Sequence, residues 1–263
     1  MPPKEPLYVH TDFHHSALLE ALTTVAGLGL AVGLDTEFYN VSLGEQSCAG
    51  RAKLHVWSLA VPIPGEVTPR GNLVAIPYVL PGSSALRPRL REWLEGPALK
   101  AVHNLPVDAH TLWNTGVKLG GGVNTLSLAR WAWPDRARGP GFTLDALGRD
   151  FLGVGKMTSY DELTQEKGTE YRIRTKRVVY CECGATPCKR RATTPGHRRL
   201  ERLEETRIPK EVTREIPLES IGPDHPRWPI LTSYAAQDAV LALGVYELAH
   251  QRMALDRREV PWL

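Results

Sequence analysis

No stretch of this sequence approaches the roughly 18 to 20 consecutive apolar residues that a membrane-spanning helix needs. Its first residues, MPPKEPLYVH, also lack the charged-then-apolar order of a secretory leader. No membrane association is therefore expected, and the default setting is the cytosol. Cysteine is scarce: four residues, three of which (Cys181, Cys183, Cys188) fall within eight positions. That argues against a disulfide framework and leaves Cys48 with no partner nearby in sequence. A strong net charge is missing too, since the formal value is +3, so only the distribution of charge can indicate partners. What the chain does have is a 42% hydrophobic fraction over 263 residues, enough to bury one sizeable core or two small ones.

The hydrophobic pattern gives an α/β order that is broken late. ALLEALTTVAGLG (17–29) has helical period, with His14 and His15 preceding it, and LAVGLDTEF reads as a buried strand. KLHVWSLAVP and GNLVAIPYVL are two more strands separated by the Pro/Gly-rich turn IPGEVTPRG, which suggests an antiparallel meander. SALRPRLREWLEG is helical, ALKAVHN is a short strand, and LPVDAHTLWNTG is a helix with Pro in its first turn and Gly at its end. TLSLARWAW and FTLDALGRDFLG continue as helices, the second capped by Thr143 and closed by Gly153. A long helix, ILTSYAAQDAVLALGVYELAHQRMALD, follows near the C-terminus, and the terminal EVPWL reads as a frayed tail. Trp57, Trp93, Trp113, Trp131 and Trp133 occupy positions that read as packing.

Asp35 and Glu37 stand one residue apart at the end of the first long strand. Positions i and i+2 of a strand face the same side, so both carboxylates aim at one point, where they repel unless a cation lies between them. A solvated strand end would need no such cation, so other acids must converge to favour a site. Asp108 lies in the first turn of the helix that follows ALKAVHN, four residues beyond Asn104. Tyr234 and Asp238 stack at i and i+4 on the last long helix. Asp238 is the telling one: it sits inside the apolar YAAQDAVLALGVY, where a carboxylate needs a partner or a metal. His103 adjoins these residues and reads as a structural histidine.

Together GLDTEF, AVHNLPVDAHTL and YAAQDA, in that order, resemble the three exonuclease motifs of the DEDD superfamily of 3′–5′ exonucleases, in the subgroup with a Tyr-x-x-x-Asp third motif. WSLAVP, NTLSLARW and FTLDALGRDFLG are similar to the corresponding parts of the proofreading domain of family A DNA polymerases. The resemblance covers roughly residues 31 to 155 and 217 to 250. It implies an RNase H-like fold, a mixed sheet flanked by helices, with Asp35, Glu37, Asp108 and Asp238 as ligands of two Mg²⁺ or Mn²⁺ ions. Such a pair, about 4 Å apart, would drive in-line phosphodiester hydrolysis. An all-oxygen donor set suits those ions. Tyr234 would orient the attacking water. Val41 matches the position where that family often has an apolar side chain under the terminal base, Asn104 one that helps fix the strand near the metal site, and Thr36 is expected to contact nucleic acid. The implied activity is removal of nucleotides from DNA 3′ ends in replication proofreading or repair, by a free-standing enzyme of phage type in a bacterial or phage-infected cytosol, with a replication polymerase as partner. An exoribonuclease and a non-catalytic nucleic-acid-binding module are the alternatives. Asn124 departs from the Asp that many relatives have there, outside the four-ligand set.

The segment between residues 157 and 216 is a departure, since the polymerase proofreading domains do not carry it in this form. It divides the expected domains into 1–156 with 217–263, and an inserted basic hairpin arm. Residues 171–202 hold ten Lys/Arg against two Glu, a surplus larger than the charge of the whole chain, so the remainder is net acidic. Such an arm, with Arg190 and Arg191 near its tip, suits phosphate contacts of low sequence preference. Cys181, Cys183, Cys188 and His197 either form a structural zinc knuckle or are reduced thiols on a basic loop, since Cys-x-Cys is tighter than the usual zinc spacing.

Overall fold

The computed structural model describes residues 5–40, 52–68, 71–139, 141–156, 159–181 and 199–259. Val41, Cys48, Cys183, Cys188, Arg190, Arg191, His197 and the end of the C-terminal tail lie outside them, as does the side chain of Cys181. The chain divides into two units, Met1–Leu163 with Pro217–Leu263, and Thr164–Ile216.

The first unit is built on a six-stranded mixed sheet: β1 (Leu7–Tyr8), β2 (Val32–Asn40), β3 (Ala52–Val67), β4 (Leu73–Pro81), β5 (Lys100–Val102) and β6 (Gly122–Asn124), in the order β1-β4-β3-β2-β5-β6. The β2-β3-β4 meander is antiparallel, whereas β1, β5 and β6 join in parallel. Among the described residues seven helices accompany the strands: α1 (Asp12–Gly27), α2 (Pro88–Glu95), α3 (Leu105–Asn114), α4 (Thr125–Ala132), α5 (Leu144–Leu147), α6 (Tyr160–Thr164) and α7 (Trp228–Glu259). A mixed sheet flanked by helices is the architecture expected of an RNase H-like fold. No helix among the described residues is long and apolar enough to cross a membrane.

Period-2 alternation along β2 sorts its residues onto two faces. Val32 and Leu34 join Trp57, Leu59 and Val61 of β3 in the main core, against Leu18, Leu22 and Val25 of α1 and Leu90 and Leu94 of α2. Ala31 and Gly33 look the other way and pack with Ala60, Ala239 and Leu243. Small residues on that face let α7 lie close. A Cβ on Gly33 would run into the carbonyl of Ala239, so glycine is required there by proximity. The Ser58 hydroxyl adds a 2.7 Å hydrogen bond to the Ala235 carbonyl.

Several elements differ from the sequence reading. The first helix begins at Asp12, because Thr11 caps it by accepting from the His14 amide, so His14 and His15 lie within it. Strand β3 runs on through IPGEV, read as a turn; β2 pairs only as far as Ala60, so Pro62 faces β4 alone and Pro64 falls in the register break between Pro62 and Val67, where proline costs less. FTLDALGRDFLG splits into α5 and a π turn, Gly148–Leu152, ended by Gly153 at φ 73°. Trp113 and Trp131 are 63% and 80% exposed, not core, while Trp57 is fully buried with its Nε1 donating to Ser84 Oγ at 2.8 Å.

The second unit is a single antiparallel ribbon of β7 (Gln165–Cys181) and β8 (Arg199–Glu215).

Candidate active site

Farther along the face that carries Ala31 and Gly33, β2 presents Asp35 and Glu37. Helix α7, held close by the small residues, brings Asp238 to the same place. One carboxylate oxygen from each of the three lies within 4.8 Å of the others. Asp35 Oδ2 and Asp238 Oδ1 are buried and have no hydrogen-bond partner in the protein. Buried anionic oxygens left this way are costly. Convergence of three on one point is what a cation-binding cradle requires, and the donors, all oxygen, fit Mg²⁺ or Mn²⁺.

Asp108, in the first turn of α3, stands beside this trio rather than within it. Its Oδ1 accepts from the Thr36 amide at 2.9 Å and from the Thr36 hydroxyl at 2.7 Å, so the residue between the two β2 acids anchors the carboxylate from α3. Thr36, expected to contact nucleic acid, thus has a second role in this structure. Asn104 precedes α3 with φ 59° and ψ 47°, and no side-chain cap bond. Asparagine is among the few residues that tolerate this left-handed geometry, which lets the chain turn from β5 directly into α3.

Burial raises every acid of the group, and the charges of its neighbours in the group add to this at Asp35, Glu37 and Asp108. Burial is the main cause for Asp35, followed by the charges of Glu37, Asp238 and Asp108, and it is held well above the usual carboxylate range. Glu37 is pushed up to about 8 by burial and the charge of Asp238. Asp108 is raised to about 7 by burial, against the two hydrogen bonds from Thr36. Asp238 is raised by burial, with Lys156 opposing.

Lys156 was not singled out by sequence reasoning, because a lysine in a polar loop is by default solvated. Its Nζ donates to Asp238 Oδ2 at 2.6 Å and to the Tyr234 hydroxyl at 3.1 Å, and lies 4.6 Å from the centre of the Tyr234 ring. The loop that carries it is pinned on both sides of the site. Its backbone N–H donates to Asp145 Oδ1 at 2.8 Å, and Gln237 Nε2 donates to the Gly155 carbonyl at 2.6 Å. Burial alone would lower the lysine, but the charge and hydrogen bond of Asp238 outweigh it and hold the ammonium above its ordinary range. Tyr234 is raised by burial and by the charges of Glu37 and Asp238, so its phenol stays protonated. The only sequence signal for Lys156 is its place just beyond the closing Gly153, within VGKM, and that signal is weak.

His103 is satisfied on both nitrogens, by Thr125 Oγ1 at 3.0 Å and the Phe142 carbonyl at 3.1 Å. Burial lowers it to about 4, which keeps the imidazole neutral. The structure therefore gathers Asp35, Glu37, Asp108, Tyr234 and Asp238 and adds Lys156.

No protein-family model and no curated protein sequence matches this chain. Among solved structures, the exonuclease domain of EXD2 soaked in Mn and GMP is similar at 17% identity and a TM-score of 0.35, over 60% of this chain and 76% of that one. The same domain soaked in Mg and dGMP is similar at 18% identity and a TM-score of 0.35, over 59% and 74%. The POL domain of Pol1 from M. smegmatis, in complex with DNA primer-template and dNTP, is similar at 21% identity and a TM-score of 0.35, over 52% of this chain and 22% of that one.

Proposed function

We propose that this chain is a metal-dependent 3′–5′ exonuclease that hydrolyses terminal phosphodiester bonds of DNA. The observation that carries the reading is the convergence of Asp35, Glu37 and Asp238, with Asp35 Oδ2 and Asp238 Oδ1 buried and unpartnered. An acid cluster whose members are all raised by burial is costly to keep in a folded protein unless divalent cations occupy it.

Asp35, Glu37 and Asp238 would hold the ions, with Asp108 beside them. Bound there, Mg²⁺ or Mn²⁺ supplies Lewis-acid activation of water and neutralises charge on the entering and leaving oxygens. The chain's own residues do the positioning. Lys156 holds Asp238 Oδ2 and leaves the buried Oδ1 without a protein partner. Lys156 also fixes the Tyr234 hydroxyl, and a phenol kept protonated by its surroundings acts on the attacking water by hydrogen bonding rather than as a phenolate. Thr36 sets the angle of Asp108 from between the two β2 acids. Val41 is assigned to the pocket of the terminal nucleotide, Asn104 to fixing the strand near the metal site, and Arg190 and Arg191 to phosphate contacts. A structural zinc on Cys181, Cys183, Cys188 and His197 and a place in replication proofreading or repair beside a polymerase complete the proposal.

The test is incubation of DNA and RNA oligonucleotides labelled at the 3′ end with Mg²⁺, then with EDTA. Release of labelled mononucleotide from DNA in Mg²⁺ alone supports the reading. Release from RNA only would replace DNA with RNA as substrate, and no release from either would leave the non-catalytic binding module. Metal analysis of purified protein decides the zinc: about one per chain is expected.

A further inference from the structure

The β7–β8 ribbon pairs without interruption from Gln165↔Glu215 to Cys181↔Arg199. Side chains at 165–177 and 202–215 are exposed on both faces except at Gly168 and Val212. Two-stranded hairpins of this kind have little core of their own. Cross-strand polar pairs hold it instead, such as Arg214 Nη2 donating to Glu170 Oε1 at 3.2 Å.

Residues directly opposite in the register point to the same face, so the pairing divides the charges. One face carries Arg172, Arg174, Lys176, Arg202, Lys210 and Arg214 against Glu166, Glu170 and Glu204, six cations to three anions. Within 165–177 and 202–215 the other carries Lys167, Arg177 and Arg207 against Glu205, Glu211 and Glu215, three to three, with Tyr171, Ile173 and Leu203 exposed among them. On the basic face Arg172, Arg174 and Lys176 form a line at intervals of about 6.7 Å, two residues of extended chain. Because the sequence outside residues 171–202 is net acidic, this face is where a polyanion meets least repulsion.

We propose that the ribbon docks by its Arg172–Arg174–Lys176 face into the major groove of duplex DNA. The shape selects the partner as much as the charge does. A two-stranded β-ribbon fits the roughly 12 Å wide major groove of B-form DNA. The deep, narrow major groove of A-form RNA does not admit one. Cations along the seated face lie against the groove's acceptors and flanking phosphates, and the neutral face with Tyr171 and Leu203 turns outward. This inference rests on the nuclease reading only in that both require a nucleic acid.

The experiment uses the full chain without added Mg²⁺ or Mn²⁺, a duplex DNA with a short 3′ overhang, and binding measured by fluorescence anisotropy across a KCl series. Two triple variants each remove three positive charges: Arg172→Gln/Arg174→Gln/Lys176→Gln, and Lys167→Gln/Arg177→Gln/Arg207→Gln. If three contacts are lost, the first set lowers the slope of log affinity against log salt by about 2 to 3. It also weakens duplex binding at least tenfold, while the second set leaves the slope within about one unit of the parent. A duplex RNA of the same sequence binds at least tenfold more weakly than the DNA. Equal changes in the two variants, an unchanged slope in the first, or equal binding of DNA and RNA duplexes overturns the proposal. Failure of the nuclease reading shows separately, as an absence of cleavage by the parent protein itself.

Discussion

Replacing Glu37 with Gln removes an ionisable group that the folded, metal-free protein keeps protonated up to about pH 8. In the folded chain burial and the charge of Asp238 push Glu37 to about 8, against an ordinary value of 4.5. A carboxyl whose folded value lies above its unfolded one contributes stability that is complete below about pH 4.5 and is lost as pH rises toward 8. At pH 7.5 the unfolded chain has released that proton and the folded chain has kept it, a penalty with a ceiling of about 4 kcal/mol. Glu37→Gln relieves it, so in EDTA at pH 7.5 the variant should melt above the parent, by on the order of 10 °C at the ceiling. Near pH 4.5 the difference should nearly vanish. The assay is thermal unfolding of both proteins in EDTA across pH 4.5 to 8, repeated with Mg²⁺. There the parent should gain about 3 kcal/mol at a hundredfold excess over its dissociation constant, and the variant less. A metal-free parent that becomes more stable relative to Glu37→Gln as pH rises would refute the reasoning.

Lys156→Met removes the cation that holds Asp238 Oδ2 and the Tyr234 hydroxyl; turnover should fall about 10- to 100-fold, with Lys156→Arg recovering part of it, measured on a 5′-labelled DNA oligonucleotide. Tyr234→Phe, which keeps the ring and removes the hydroxyl, should lower turnover by roughly 100-fold or more with Mn²⁺ binding unchanged by calorimetry. Gly33→Ala forces a methyl against the Ala239 carbonyl, next to Asp238. It should destabilise the chain by roughly 1 to 3 kcal/mol in urea unfolding and lower activity in the protein that remains folded.

The acids were legible in the sequence because each is marked by its immediate neighbours. Asp35 and Glu37 end an apolar strand, Asp108 opens a helix behind Pro106, and Asp238 interrupts an apolar helix. What local pattern does not carry is which distant group comes to meet them. Lys156 reaches the site only because Asp145 and Gln237 pin its loop, and those contacts span 11 and 82 positions of sequence. The role of Thr36 in holding Asp108 is likewise tertiary, over 72 positions. In the fold, the meander and the long final helix followed from hydrophobic period. The three-residue β6 is too short for any period to show. Trp113 and Trp131 read as core because an aromatic on an amphipathic helix suggests burial, yet each lies on the solvent side. Strand β3 passed through two prolines because Pro62 faces β4 alone and Pro64 falls in a break of the register.

The central claim is that these carboxylates form a divalent-metal site that cuts nucleotides from a 3′ end. Its most direct test follows the length of a 5′-labelled DNA strand over time with the parent chain and with Asp238→Ala. The expected result is a ladder shortening one nucleotide at a time from the 3′ end in Mg²⁺ or Mn²⁺, abolished by EDTA and absent in Asp238→Ala. Equal cleavage by Asp238→Ala, or no shortening by the parent in either metal, would contradict it.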